Sequence, residues 1–275
     1  MPQALSFSKY HGAGNDFILL DNRENRFGPL LRPEWVARLC QRRFGIGADG
    51  LMALERAPDA HFAMRYYNAD GREGSFCGNG GRCIVAFARQ LGLLEGLEDG
   101  IRFRAVDGCH QAVWTSPNRV ALKMQDVDGP RREPEGYVLQ TGSPHLVVPV
   151  EDVETFALEE EGPRWRWAEK YAPSGINVNV MALRPQGAET QACELDIRTF
   201  ERGVEAETWA CGTGAVAAAL AAEALQSRER PHFRWTVHAR GGTLSVEAQT
   251  DGRRFHAIWL TGPADFVFDG HCPAL

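Results

Sequence analysis

Cys77-Gly78-Asn79-Gly80-Gly81-Arg82 decides how the chain is read, because it has a counterpart, Cys211-Gly212-Thr213-Gly214-Ala215-Val216, roughly half a chain downstream. Each stretch is a cysteine, then Gly-polar-Gly, then an apolar run with the length and composition of a helix. The first helix is expected to run through Leu91, with Gly92 as its stop, and the second from Ala215 to Leu225. A helix start carries unpaired backbone N–H groups and the positive end of the helix dipole. Both favour a thiolate over a thiol, and the same N–H groups suit a carboxylate. A single buried cysteine is ordinarily an inert core residue. A hydrophobic core has no need of the same Cys-Gly-polar-Gly start twice, so the pair is read as chemistry. One thiol could take a proton from a substrate and the other return one.

Working outward, each half reads as strands, one central buried helix, then more strands. Leu5 to Lys9 alternates, Phe17-Ile18-Leu19-Leu20 reads as a buried strand, and Pro33 opens a helix through Arg42. Gly45-Ile46-Gly47-Ala48-Asp49-Gly50 fits G-x-G-x-x-G in form only. A helix precedes it and a strand follows, the reverse of the dinucleotide-binding context. Phe62 to Tyr67 is a strand that delivers Asn68-Ala69-Asp70-Gly71 at its end. In the second half, Val153 to Glu161 is expected to be helical and Gly162-Pro163 to end it. Trp165 and Trp167 have no place in this reading. Ile176 to Met181 and Leu195 to Phe200 alternate as strands. The turn-rich stretch Asp126 to Pro130 marks a boundary. The expected architecture is α+β rather than a doubly wound parallel sheet.

Composition narrows the function classes. The chain has 275 residues, 44% apolar and 24% charged, with a net charge of −6. That balance gives nucleic acid no electrostatic support. The beginning of the chain lacks the pattern of a signal peptide, and no apolar run reaches membrane-spanning length. Cysteines stand at 40, 77, 83, 109, 193, 211 and 272, without Cys-x-x-Cys spacing, so no metal site is expected. An odd set of thiols suits the reducing cytoplasm.

Together, His11-Gly12-Ala13-Gly14-Asn15-Asp16-Phe17, Asn68-Ala69-Asp70-Gly71, Cys77-Gly78-Asn79-Gly80, Glu201-Arg202-Gly203 and Ala210-Cys211-Gly212-Thr213-Gly214 resemble diaminopimelate epimerase. The resemblance runs from residue 5 to Phe268-Asp269-Gly270. It implies two similar, pseudo-symmetric domains, each a mixed β-barrel-like sheet around a central helix, with the active site between them. The domains are expected at 1–127, joined by 262–275, and at 128–261. The implied reaction interconverts LL- and meso-2,6-diaminopimelate on the way to lysine and peptidoglycan, without pyridoxal phosphate or any other cofactor. A homodimer is also implied.

The resemblance assigns roles residue by residue. Cys77 and Cys211 are the acid–base pair, supported by His145 and Glu201. Gly78, Asn79, Gly212 and Thr213 offer helix-terminal donors to the α-carboxylate. Arg202 suits the distal carboxylate, whereas its ordinary reading is a surface pair with Glu201. Asn15, Asn68 and Asn177 match substrate-binding positions, though asparagine alone is more often a turn or cap residue. Asn179 faces the same side as Asn177 and is its register alternative. Gly142-Ser143-Pro144-His145 departs from the Gly-Asn-Pro-His of many family members. The rivals are a proline or hydroxyproline racemase, a cofactor-free isomerase of the phenazine-biosynthesis type, which shares the fold but typically lacks this cysteine pair, a non-catalytic amino-acid-binding protein and a thiol-redox protein. Asn79 and the Glu201-Arg202 pair argue against the racemase, whose first motif resembles Cys-Gly-His-Gly.

Overall fold

The computed structural model describes residues 4–97, 100–185, 193–226 and 230–272. The chain divides into two compact units, 1–122 with 262–275 and 123–261.

The first unit begins with β1 (Leu5–Gly12) and β2 (Asn15–Asp21), then α1 (Pro33–Cys40), β3 (Gly50–Glu55) and β4 (Phe62–Asn68). Its central helix α2 (Gly78–Gln90) follows, then β5 (Ile101–Ala105), β6 (Gly108–Ser116) and β7 (Arg119–Lys123). Along the sheet, successive pairs from β1 to β7 run antiparallel, parallel, antiparallel, parallel, antiparallel, antiparallel.

The second unit opens with two-residue strands β8 (Val127–Asp128) and β9 (Arg131–Arg132), then β10 (Tyr137–Gln140) and β11 (Pro144–Pro149). Next come α3 (Leu158–Arg166), β12 (Asn177–Leu183), β13 (Cys193–Glu201) and the short β14 (Ala206–Thr208). The central helix α4 (Gly212–Leu225) precedes β15 (His232–Ala239), β16 (Gly242–Thr250) and β17 (Arg254–Pro263). From β10 through β11, β12, β13, β15 and β16 to β17 the directions repeat those of the first unit in the same order. β18 (Asp265–Cys272) belongs to the first unit and pairs antiparallel with β1.

The α+β class expected from the sequence is therefore observed, and the repeated strand directions extend the similarity of the halves beyond the two cysteine motifs. Both central helices are packed on nearly all sides. In α2 every residue from Asn79 to Ala88 is buried. In α4 burial covers Gly212 and Gly214 to Glu223. The alanines of α4 combine high helix propensity with side chains small enough for sheet residues to close over them. Its one buried carboxylate, Glu223, accepts from Trp235 Nε1 at 2.9 Å and Arg230 Nη2 at 2.7 Å.

The division at 122/123 falls a few residues before the turn-rich stretch 126–130, where Val127 and Asp128 pair with Phe255 and Arg254 of β17. One expectation needs correction. Gly162-Pro163 does not end the second-half helix but lies within α3, which starts at Leu158. Glu159, Glu160 and Glu161 in its first turn and Arg164 and Arg166 in its last complement the helix dipole. Gly162 is needed there because an added Cβ would lie 2.8 Å from the Phe200 ring. The same helix places both tryptophans. Trp165 stacks on Phe156 at 5.8 Å, and Trp167 lies under the Arg166 guanidinium at 3.9 Å. No helix among the described residues is long and apolar enough to cross a membrane.

Candidate active site

The two cysteines occupy equivalent backbone positions. Cys77 is the N-cap of α2 with φ −109° and ψ 117°, and Cys211 is the N-cap of α4 with φ −107° and ψ 114°. Each carbonyl accepts the first intrahelical bond, from Gly81 N at 2.7 Å and from Ala215 N at 2.9 Å. The N–H groups of the first turn have no acceptor within the helix and define an anion-favouring end. An added Cβ on Gly78 would meet nothing within 4 Å, so the glycine leaves open space beside Cys77.

In the first unit, Cys77 Sγ donates to Asn15 Oδ1 at 3.6 Å, and Asn79 Nδ2 approaches the same oxygen at 3.4 Å. The orientation of the Asn15 amide is fixed from behind. Its Nδ2 donates to Asp49 Oδ2 at 2.8 Å, and a flipped amide would set two oxygens against each other. Asp49 is itself gripped by Arg42, which also forms a fork on Asp16. Burial works against the Asp16 carboxylate, but Arg42 and Lys9 outweigh it and hold the pKa down at about 2. On the other side, Arg82 donates to Asn79 Oδ1 at 2.7 Å, Pro263 O at 3.2 Å and Gly78 O at 3.4 Å. Arg82 is fully buried, and burial lowers its pKa to about 10, so it stays charged at neutral pH. Asn68 stands exposed at the end of β4, where its backbone closes the turn to Gly71 and Arg72.

In the second unit, the loop before β11 docks on the first turn of α4. Thr141 Oγ1 donates to Thr213 O at 2.8 Å, and Gly142 takes φ 108°, a left-handed conformation that favours glycine. The docked loop brings His145 Nε2 to 2.9 Å from both Thr213 Oγ1 and Ser143 Oγ. Thr213 Oγ1 is in turn 3.5 Å from Cys211 Sγ. His145 therefore meets the thiol through a hydroxyl. Its ring is fully buried, and burial, reinforced by the charge of Arg202, pushes its pKa down to about 3. At neutral pH it is a neutral imidazole.

Parallel pairing of β11 with β12 sets His145 opposite Asn177 and Val147 opposite Asn179. Asn177 donates to Pro144 O at 3.0 Å and Ser143 Oγ at 3.2 Å, and accepts from Arg202 N at 2.8 Å. Both ends of its amide thus brace the loop and the Glu201-Arg202 turn. Asn179 is wholly buried behind His145. Glu201 Oε2 accepts from Thr208 Oγ1 at 2.9 Å across the β13–β14 hairpin, and burial raises its pKa. Among the described residues the Arg202 side chain forms no ion pair, so the surface Glu201–Arg202 bridge considered from sequence is not made.

The first unit thus gathers Asn15, Cys77, Gly78 and Asn79, with Asn68 on the turn after β4. The second gathers Ser143, His145, Asn177, Cys211 and Thr213, with Glu201 and Arg202 on the hairpin joined to Asn177. Sequence reasoning missed Arg42, Asp49, Arg82, Thr199 and Thr208 as supports. Only Arg82 left a local signal, since it stands three residues after Asn79 and four after Gly78 on a helix face. No cluster of three or more metal-ligating side chains occurs among the described residues.

The family model for diaminopimelate epimerase matches residues 7–124 and 137–267. The diaminopimelate epimerase of Flavobacterium psychrophilum is 40% identical over 261 residues, covering 95% of this chain and 97% of its own length. That of Chlorobaculum tepidum is 40% identical over 264 residues, covering 94% and 98%. Among solved structures, a phenazine biosynthesis protein of the PhzF family from Bacillus anthracis superposes with TM-score 0.72 over 98% of this chain and 99% of its own, at 15% identity. The last likeness concerns the fold alone, whereas the first three findings span both units and both cysteine motifs. The chain belongs to the diaminopimelate epimerase family.

Proposed function

We propose that this protein interconverts LL- and meso-2,6-diaminopimelate by a two-thiol, cofactor-independent mechanism. The observation that carries the reading is the repeated one. Each unit holds a cysteine as the N-cap of its central buried helix, with the same backbone geometry and its own hydrogen-bonding shell. Inversion at Cα requires a base on one face and an acid on the other. Cys77 and Cys211 supply one thiolate and one thiol, and the roles exchange with reaction direction.

The α-proton of an amino acid is weakly acidic, so the carbanion needs preorganised stabilisation. The first-turn N–H groups at Gly78 and Asn79 and at Gly212 and Thr213 are the donors for the α-carboxylate. Each such donor contributes about 3 kcal/mol in the transition state. Arg202, whose side chain makes no ion pair among the described residues, is the fork for the distal carboxylate. Asn15, Asn68 and Asn177 orient the amino and carboxylate groups. Glu201, its proton retained more readily because of burial, supports the thiol chemistry from the second unit. The product serves lysine and peptidoglycan synthesis in the cytoplasm, and the working form is a homodimer.

The test is α-proton exchange by NMR in heavy water, with reduced protein, LL-diaminopimelate and no added pyridoxal phosphate. Loss of the α-proton signal with formation of the meso isomer is expected. Cys77→Ala and Cys211→Ala should each lower the rate about a thousandfold, the scale of losing a general acid or base. Exchange on proline or hydroxyproline, with none on diaminopimelate, would move the protein to the racemase reading.

A further inference from the structure

Asn179 is the asparagine that the substrate-binding reading leaves over, and it is fully buried. Its Nδ2 donates to Leu146 O at 3.0 Å and faces His145 Nδ1 at 3.0 Å, while its Oδ1 accepts from Thr199 Oγ1 at 2.9 Å. The Leu146 carbonyl fixes which end of the amide is which, because a carbonyl can only accept. With Nδ2 turned toward it, His145 Nδ1 must be the bare, accepting nitrogen. The ring proton is then on Nε2, the atom that meets Thr213 and Ser143.

The consequence passes along the hydroxyls. Asn177 Nδ2 donates to Ser143 Oγ, so the Ser143 hydrogen is left for Thr213 Oγ1 at 3.3 Å. Thr213 Oγ1 therefore accepts from His145 and from Ser143, and its one hydrogen is directed to Cys211 Sγ at 3.5 Å. Every donor in the chain points the same way. We propose that Asn179 is a positioning residue for Cys211: it holds His145 as the Nε2–H tautomer, and through Thr213 that tautomer turns a hydroxyl hydrogen onto the sulfur. A hydrogen bond donated to sulfur favours the thiolate. No proton is transferred along the chain; it sets direction only. Gly214 is part of the device, because a Cβ there would lie 2.4 Å from Asn179 Oδ1. Among the described residues, the charged or titratable groups facing His145 are Arg202, whose charge disfavours an imidazolium, and Cys211 through Thr213.

The meaning for catalysis rests on the two-thiol reading, but the test needs no substrate, so the two can fail separately. In reduced, full-length protein labelled with 15N-histidine, NMR should show His145 with a bare Nδ1 and a protonated Nε2, unchanged from pH 5 to 9. His145→Gln assigns the signals. In parallel, alkylation by iodoacetamide is followed at each cysteine by peptide mass spectrometry. Thr213→Val should slow Cys211 alkylation at neutral pH about tenfold, the equivalent of one unit in thiol pKa, with Cys77 unchanged. Thr213→Ser should restore the rate. Asn179→Leu should slow Cys211 alike and shift the His145 signals. A protonated Nδ1 in the unaltered protein, or Thr213→Val alkylating at the original rate, would overturn the proposal. If Asn179→Leu fails to fold, those two measurements still decide.

Discussion

The two cysteine shells share a backbone but not an electrostatic design. Cys77 and Cys211 cap their helices with angles that agree within 3°. Around Cys77 the support is charged: Asp49, Arg42, Asp16 and Lys9 behind Asn15, and buried Arg82 behind Asn79. Around Cys211 the hydrogen-bonding side chains are neutral, namely Thr213, Ser143, His145, Asn177, Asn179 and Thr199, and the Arg202 charge acts on them only from beyond. The hydrogen-bond polarity also differs, since Asn15 presents an oxygen to one sulfur and Thr213 a hydroxyl to the other. The repeated helix start fixes where the two cysteines stand, and each is given a hydrogen-bonding shell of its own.

The largest effect that would break this contrast is expected at Arg82. Arg82→Met keeps the bulk but strands the acceptors Asn79 Oδ1 and Pro263 O, whereas Gly78 O keeps its intrahelical bond. A buried acceptor left without its donor costs about 1 kcal/mol or more, so the variant should lose about 2 kcal/mol or more in urea denaturation. Cys77 alkylation should slow as well, because the guanidinium charge that favours its thiolate is gone, while Cys211 alkylation holds. Unchanged Cys77 reactivity in a folded Arg82→Met protein would show that the charge is structural only.

The neutral shell has its own signature in acid. His145 is pushed down to about 3 by burial, well below its ordinary value of 6.5. A depressed folded pKa gives stability that is present above the unfolded pKa. That stability is lost as pH falls from about 6.5 toward 3, where the unfolded chain binds a proton the folded one refuses. The slope for one proton is about 1.4 kcal/mol per pH unit. Urea midpoints at pH 7.5, 6, 5 and 4 should show this slope for the unaltered protein beyond that of His145→Gln. Equal slopes would mean that the buried ring is protonated in place and that the shell is not neutral.

How much of this was legible in the sequence depends on range. The repeated Cys-Gly-polar-Gly starts, the alternating strands and the Ala-rich helix are local patterns, and each predicts the element it forms. Gly162-Pro163 misleads because the rule that ends a helix at proline ignores the dipole complement and the Phe200 contact that favour α3. The shells are less readable still. Asp49 lies in a stretch whose pattern suggests a dinucleotide loop, and only the β2–β3 pairing brings it to Asn15. Asn179 is distinguished from Asn177 by register alone, since both point to one side of β12, and the parallel pairing with β11 decides which braces the loop and which reaches the ring.

Asp49 offers the finest test of the comparison. Asp49→Asn removes a carboxylate that accepts from Asn15 Nδ2 and from Arg42, both at a partly exposed position. Ion pairs so placed contribute about 1 kcal/mol or less, so stability should barely change. The change should appear instead at the sulfur. With an amide at position 49, Asn15 can turn over and present Nδ2 to Cys77, converting an acceptor that favours the thiol into a donor that favours the thiolate. The pH profile of Cys77 alkylation should move to lower pH by less than about one unit. Arg82 remains in place, so the shift isolates the hydrogen-bond contribution from that of the charge. A profile that stays fixed would mean that Asn79, held by Arg82, is enough to orient Asn15, and that the charged cluster behind it serves the fold rather than the thiol.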